Sequence, residues 1–228
     1  FRVFNFPKVM PFMLTVSVTN QCNSRCQTCN IWKVYRDNPQ LVKQELSLHE
    51  FETIFQNVGE PIWFNLSGGE PYLRAELVDI CKAMYECCKP KVFTIPTNGL
   101  LPGLIREKTR EILNISSDVS VVVNVSVDGI GEDHDKIRGV SGNFERVTET
   151  IRHLKELKAE YNNLDVGAHS VVSKFNVDKL LGLYEYVKRE FTPDSYICEP
   201  AENRSELFNL REDIAPDILL YERWIEKL

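Results

Sequence analysis

The feature that most constrains this chain of 228 residues is a strict alternation of short apolar strands with amphipathic helices. Residues 12–18 are apolar and β-branched with small polar residues interleaved, the pattern of a first strand. Leu48, Phe51, Ile54, Phe55 and Val58 then recur at helical spacing behind a Ser47–Glu50 capping box, and Gly59 stops that helix. Further strands are read over 62–66, 91–95, 119–127, 164–172 and 196–198, the fourth apolar enough to be buried on both faces. Further helices are read over 74–88, 103–115, 144–161, 177–191 and 216–228, and polar loops over 33–46 and 130–142. Six strand–helix units in alternation predict an α/β fold with a parallel sheet and its helices outside. Right-handed crossovers curl such a sheet, and six units rather than eight predict a partial (β/α)6 TIM-like barrel; a doubly wound sheet is the alternative. Residues 1–11, punctuated by Pro7 and Pro11, read as an extended lead-in, and 12–228 as one domain. The chain opens on Phe1 rather than Met and stops inside its last helix, so trimming at both ends is expected.

The conspicuous polar motifs mostly follow strands. Cys22-Asn23-Ser24-Arg25-Cys26-Gln27-Thr28-Cys29 follows the first, Ser67-Gly68-Gly69-Glu70-Pro71 the second, Thr97-Asn98-Gly99 the third and Ser126-Val127-Asp128-Gly129 the fourth. In parallel α/β folds the carboxyl ends of the strands line the ligand site, so one rim gathers them all. Three thiolates from one loop at C-x3-C-x2-C spacing suit three irons of a cubane cluster. With only three protein ligands, the fourth iron is open to an outside one. A structural zinc site normally closes with four Cys or His. Here no partner knuckle follows, and His49, His134, His153 and His169 are scattered. Cys81, Cys87, Cys88 and Cys198 show no regular offset for a fourth cluster ligand.

Taken singly, the other motifs have plain structural readings. Gly68-Gly69 is equally a tight βα turn or a place where a ligand approaches backbone closely. Glu70 is a helix cap or the partner of a ligand ammonium. Thr97-Asn98-Gly99 is by itself a turn, and Asp128 by itself an Asx-turn residue. His134, Asp135 and Arg138 read as a solvated charged loop, His169 as a satisfied core histidine, and Met10 and Met13 as packing. No catalytic acid or base stands out.

A formal charge of −6 without a basic block argues against nucleic acid and anionic membranes as partners. No run approaches the ~18 consecutive apolar residues of a membrane span, and no signal-peptide pattern opens the chain. Seven cysteines, an odd number without secretory features, favour a reducing cytoplasm where thiols bind metal.

The cysteine loop after the first strand, followed by Gly-Gly-Glu-Pro after the second, resembles the radical S-adenosylmethionine (radical SAM) enzymes. The Thr-Asn-Gly and Ser-Val-Asp-Gly segments, with His-Asp-Lys-Ile-Arg-Gly at 134–139, resemble the branch of molybdenum-cofactor cyclases and SPASM-type peptide-modifying enzymes. The resemblance spans about 12–200. It implies a [4Fe–4S] cluster on Cys22, Cys26 and Cys29, with S-adenosylmethionine chelating the open iron. It implies that Gly68, Gly69 and Glu70 receive the cofactor's amine, Arg138 its carboxylate, and that Thr97, Asn98 and Ser126 line its site. It further implies hydrogen abstraction by a 5′-deoxyadenosyl radical, an electron donor such as flavodoxin or ferredoxin, and a peptide or small-molecule substrate. Many members of the family carry an aromatic residue just before the third cysteine. Here that position is Thr28, leaving Ile31 or Trp32 to cover the adenine. Members of the branch often add a cysteine-rich domain, for which only Cys198 lies beyond the core.

Overall fold

The computed structural model describes residues 11–227. The lead-in and Met10 therefore lie almost wholly outside the described residues. Six strands form one parallel sheet in sequential order: β1 (Met13–Ser17), β2 (Trp63–Ser67), β3 (Val92–Thr97), β4 (Ser120–Ser126), β5 (Leu164–Val172) and β6 (Ser195–Pro200). The helices α2 (Leu48–Val58), α3 (Leu77–Cys88), α4 (Pro102–Leu113), α6 (Asn143–Glu160) and α7 (Leu180–Tyr186) connect them, making a partial (β/α)6 barrel. Residues Val187–Phe191 extend α7 as a π-turn, and α8 (Ile218–Ile225) closes the described chain. Among the described residues no helix is long and apolar enough to cross a membrane.

The strand alternation decides which side faces the helices. Phe64 and Leu66 of β2, Phe93 and Ile95 of β3, and Val121, Val123 and Val125 of β4 are buried in the main core. The aromatic rings of Phe51, Phe55, Phe64 and Phe93 run from α2 into the sheet, with successive centroids 5.9, 5.4 and 6.4 Å apart. Each buried Phe or Leu of this kind contributes about 1.5–3 kcal/mol by leaving water. The other side chains of the strands point into the barrel. There Ser120, Val122 and Ser126 are only half-buried, so β4 is not sealed on both faces as its composition predicts. The barrel is open, and its concave face retains access to solvent.

Both segments read as loops contain helix. Residues 33–46 form α1 (Lys33–Asp37) and a 3-10 turn over Pro39–Gln44, neither with a buried residue, so no apolar stripe marked them. Residues 130–142 contain α5 (Glu132–Arg138). Its signals are electrostatic rather than hydrophobic: acids in the first turn, Lys136 and Arg138 in the last, and Gly139 at φ +67° as C-cap. Asp135 reaches on to cap α6, its carboxylate accepting from the backbone N–H of Gly142 (2.6 Å) and Phe144 (2.8 Å).

Candidate cofactor site

The carboxyl ends of the strands surround a cavity of about 250 Å³. Cys22, Cys26, Cys29, Gly68, Gly69, Thr97, Asn98, Ser126 and Arg138 all line it. Of the residues that the resemblance assigns to the cluster and the cofactor, Glu70 alone does not.

The cysteine loop is held from two sides. Its rear half leans on α5 and on the segment after β6. Arg25 N and Gln27 N donate to the carbonyls of Arg138 and Ile137, both at 2.9 Å, and Ser24 Oγ donates to Arg138 O. Asn209 Nδ2 donates to Thr28 O (2.8 Å), and Asn30 N to Leu207 O (2.9 Å). The front half is tied to the turn after β2: Gly69 N donates to Thr19 O (2.7 Å) and Glu70 N to Gln21 O (2.8 Å). This explains the glycine pair. A Cβ on Gly68, at φ +124°, would lie 2.2 Å from Thr19 O, and one on Gly69 2.2 Å from Gln21 O. The close approach that these glycines permit is therefore to the chain entering the cysteine loop.

Glu70 is buried behind the cavity wall. Its carboxylate accepts from Asn98 N (2.7 Å), Thr97 Oγ1 (3.0 Å) and Tyr72 N (3.3 Å), the last capping the 3-10 turn Pro71–Leu73. Burial pushes its carboxyl up to about 7, against the pull of those three donors. Asn98 in turn faces the cysteines, donating from Nδ2 to Asn23 Oδ1 (2.7 Å) and lying 3.8 Å from Cys22 Sγ. Its Oδ1 accepts from Leu100 N, the Asx turn that the sequence suggests, so turn and site occupy the same residue.

Asp128 is buried and does not form an isolated Asx turn. One oxygen accepts from Val171 N of β5 and the other from Arg138 Nη1, each at 2.9 Å. Arg138 is 9% exposed, and its Nε has no hydrogen-bond partner among the described residues. Though burial opposes it, the guanidinium is held above its ordinary pKa by Cys26, Asp128 and Cys22. Burial pushes the Cys22 thiol up to about 12, helped by Cys26, and the Cys29 thiol up to about 11. Cys22 and Cys29, desolvated and each raised further by Cys26, ionise together only when a metal centre takes their charge. Among the described residues no three His, Cys, Asp or Glu side chains gather about one point as a single ion requires. A cubane makes a different demand, one thiolate per iron. The donor set and the cationic Arg138 in the cavity wall both fit such a cluster with an anionic co-ligand.

Ile31 and Thr28 line the cavity, whereas Trp32 turns away and donates from Nε1 to Cys29 O (3.0 Å). His169 is not a core residue: it lines the cavity, with Nε2 3.2 Å from Glu199 Oε1. His134 is the buried one, its Nδ1 accepting from Asp128 N (3.1 Å).

The chain has relatives among known proteins and neighbours among solved structures. The chain is 27% identical over 196 residues to the Fe-coproporphyrin III synthase of Methanosarcina barkeri, matching 84% of this chain and 45% of the relative. It is 28% identical over 181 residues to the sporulation killing factor maturation protein SkfB of Bacillus subtilis, 77% of this chain and 39% of that protein. Its fold superimposes on anSMEcpe with bound AdoMet and Cp18Cys peptide, with a TM-score of 0.67 and 18% identity over 95% of this chain and 58% of the other. The chain thus spans roughly half the length of these proteins. The Radical SAM superfamily model matches residues 16–176, from inside β1 to beyond β5, and the chain belongs to that superfamily.

Proposed function

We propose that this domain binds a [4Fe–4S] cluster through Cys22, Cys26 and Cys29 and, with S-adenosylmethionine, initiates a radical reaction by hydrogen abstraction. The observation that carries this reading is the convergence of those three thiols and Arg138 on one cavity at the carboxyl rim of the barrel. When bound and reduced, a cluster held by these cysteines would supply the one electron needed to cleave the sulfonium C–S bond of S-adenosylmethionine, to methionine and a 5′-deoxyadenosyl radical. Arg138, held by Asp128, offers its guanidinium to the cofactor carboxylate by charge-assisted hydrogen bonding. The backbone of Gly68–Gly69 meets the amine. Glu70 acts from behind, fixing Thr97 and Asn98 in the wall. Ser126 and Ile31 face the remaining space, Ile31 as an apolar neighbour for the adenine that Trp32 does not provide.

The substrate favoured is a peptide, supported by the maturation protein and the peptide-bound structure to which the chain is similar. A small metabolite is the second reading, supported by the similarity to a synthase. A cytoplasmic setting with a flavodoxin or ferredoxin as electron donor suits either. The test is anaerobic reconstitution with iron and sulfide, then dithionite and S-adenosylmethionine without substrate. Slow release of 5′-deoxyadenosine and methionine is expected. S-adenosylhomocysteine as the product would point to polar methyl transfer and overturn the radical reading, and a chain that takes up no cluster would mark a silent scaffold.

A further inference from the structure

Among the described residues, the charged side chain that anchors the approach to the front half of the cysteine loop is that of Glu45. Thr19, Asn20 and Gln21 lead from β1 to Cys22, at a point where the sheet no longer satisfies their backbone groups. The glycine turn takes the carbonyls of Thr19 and Gln21, and Gln21 N donates to Thr19 Oγ1 (2.9 Å). Asn20 N and the Thr19 hydroxyl hydrogen are among the groups that these bonds do not meet. Glu45, at the end of the 33–46 segment, meets both: its Oε1 accepts from Thr19 Oγ1 (2.5 Å) and Asn20 N (3.1 Å). The same oxygen accepts from Tyr35 OH of α1 (2.6 Å). The other oxygen accepts from Arg74 Nη1 (2.7 Å), a nearly buried cation four residues beyond Glu70. Arg74 Nη2 also donates to Leu46 O (2.8 Å), which fixes the arm that carries Glu45. One carboxylate thus joins the approach to the cysteines, α1, and the segment that carries Gly68–Gly69–Glu70. Its side chain is 14% exposed and that of Arg74 9%, so the contacts are made largely out of water. Burial raises the Glu45 carboxyl, but its hydrogen bonds outweigh burial and hold it below the ordinary carboxylate range.

We propose that Glu45 is a positioning residue for the metal-binding loop, setting the exit of β1 so that Cys22 is delivered to the cavity. The proposal rests on the cluster reading above. It concerns how firmly the loop holds its metal, so the readout is metal retention rather than turnover. Replacement by Gln keeps an oxygen for Thr19, Asn20 and Tyr35 and turns an amide donor against Arg74. Replacement by Ala removes every contact.

The experiment uses the whole chain, reconstituted anaerobically, and follows loss of the cluster's visible absorbance after addition of an iron chelator. Melting curves of each apo form are recorded beside it. Glu45→Ala is expected to lose its cluster roughly tenfold faster than the wild type, and Glu45→Gln to stay within about threefold, on the scale of one or two lost hydrogen bonds. Ser47→Ala is the control, because it breaks the capping box of α2 and lowers melting without touching the cysteine loop. It is expected to keep the wild-type rate. If Glu45→Ala does not fold, Thr19→Val takes its place, since it removes the hydroxyl and keeps the β-branched shape; a loss a few-fold faster than the wild type is expected. Wild-type retention in Glu45→Ala, or in Thr19→Val where it stands in, overturns the role of Glu45 alone. So does a loss in Ser47→Ala that tracks melting as steeply. A wild-type chain that takes up no cluster overturns the reading of the site, and this proposal with it.

Discussion

Two buried ionisable residues give the protein opposed pH dependences. Burial pushes the Glu70 carboxyl from 4.5 up to about 7, so the folded chain keeps a proton that the unfolded chain releases. Stability from this group is full below pH 4.5 and is lost as pH rises through 7, by roughly 3 kcal/mol in all. Burial, with the Arg138 charge, pushes the His134 imidazole from 6.5 down to about 4. Its contribution is full above pH 6.5 and is lost as pH falls through 4, by a similar amount. The two slopes oppose each other between pH 4.5 and 6.5, which flattens the wild-type profile. Single substitutions expose them. In Glu70→Gln the His134 slope stands alone, and the melting temperature rises from pH 4 to 6.5 more steeply than in the wild type. In His134→Asn, whose Oδ1 still accepts from Asp128 N, the Glu70 slope stands alone, and the melting temperature falls from pH 4.5 to 7 more steeply than in the wild type. Parallel profiles for either variant and the wild type, in melting curves from pH 4 to 8, would refute the corresponding assignment. Glu70 also shows where sequence reasoning stopped. Its type and place mark a site residue, but a carboxylate that grips Thr97 and Asn98 and one that faces a ligand have the same sequence.

At the level of elements, α5 works as a strut between the cysteine loop and the sheet. Its last carbonyls receive Arg25 and Gln27, Asp135 caps α6, and Gly139 ends it where a Cβ would lie 2.4 Å from Arg25 O. Gly139→Ala therefore strains a φ of +67° and pushes the cysteine loop outward. The expected result is a sharply lower iron content after anaerobic purification, with most of the helical circular dichroism kept; full iron occupancy would rule out the strut. Asp135→Ala removes the α6 cap and is expected to cost about 1 kcal/mol, read from the urea midpoint. The long elements were legible because apolar periodicity writes them: all six strands and α2, α3, α4, α6 and α7 lie where the pattern puts them, apart from end residues. The helix read over 216–228 is shorter, α8 ending at Ile225. What the pattern misses is α1 and α5, of five and seven residues, whose order comes from contacts across the chain rather than from a stripe of their own. Glu45 went unread and Asp128 was read only as a turn residue for the same reason, their partners being remote in sequence.

Over the whole molecule, the core and the site are separable. The main core is built from strand and helix side chains, with Cys81 and Cys88 within it but none of the loop cysteines. Replacing Cys22, Cys26 and Cys29 together by Ala is thus expected to abolish iron and sulfide binding while leaving far-ultraviolet circular dichroism unchanged. Brown absorbance that persists in the triple variant would mean that another set of thiols holds the metal. The sequential strand order has a consequence for the newly made chain. Each strand pairs with the one synthesised just before it, so the sheet can grow one unit at a time as the chain leaves the ribosome. The cysteine loop does not follow that schedule. It emerges ahead of β2 to β6, yet its rear half waits for Ile137 and Arg138, and then for Leu207 and Asn209, far downstream. An early segment is thus tied late, and a nascent chain acquires its finished cysteine loop only after some 180 further residues have been translated.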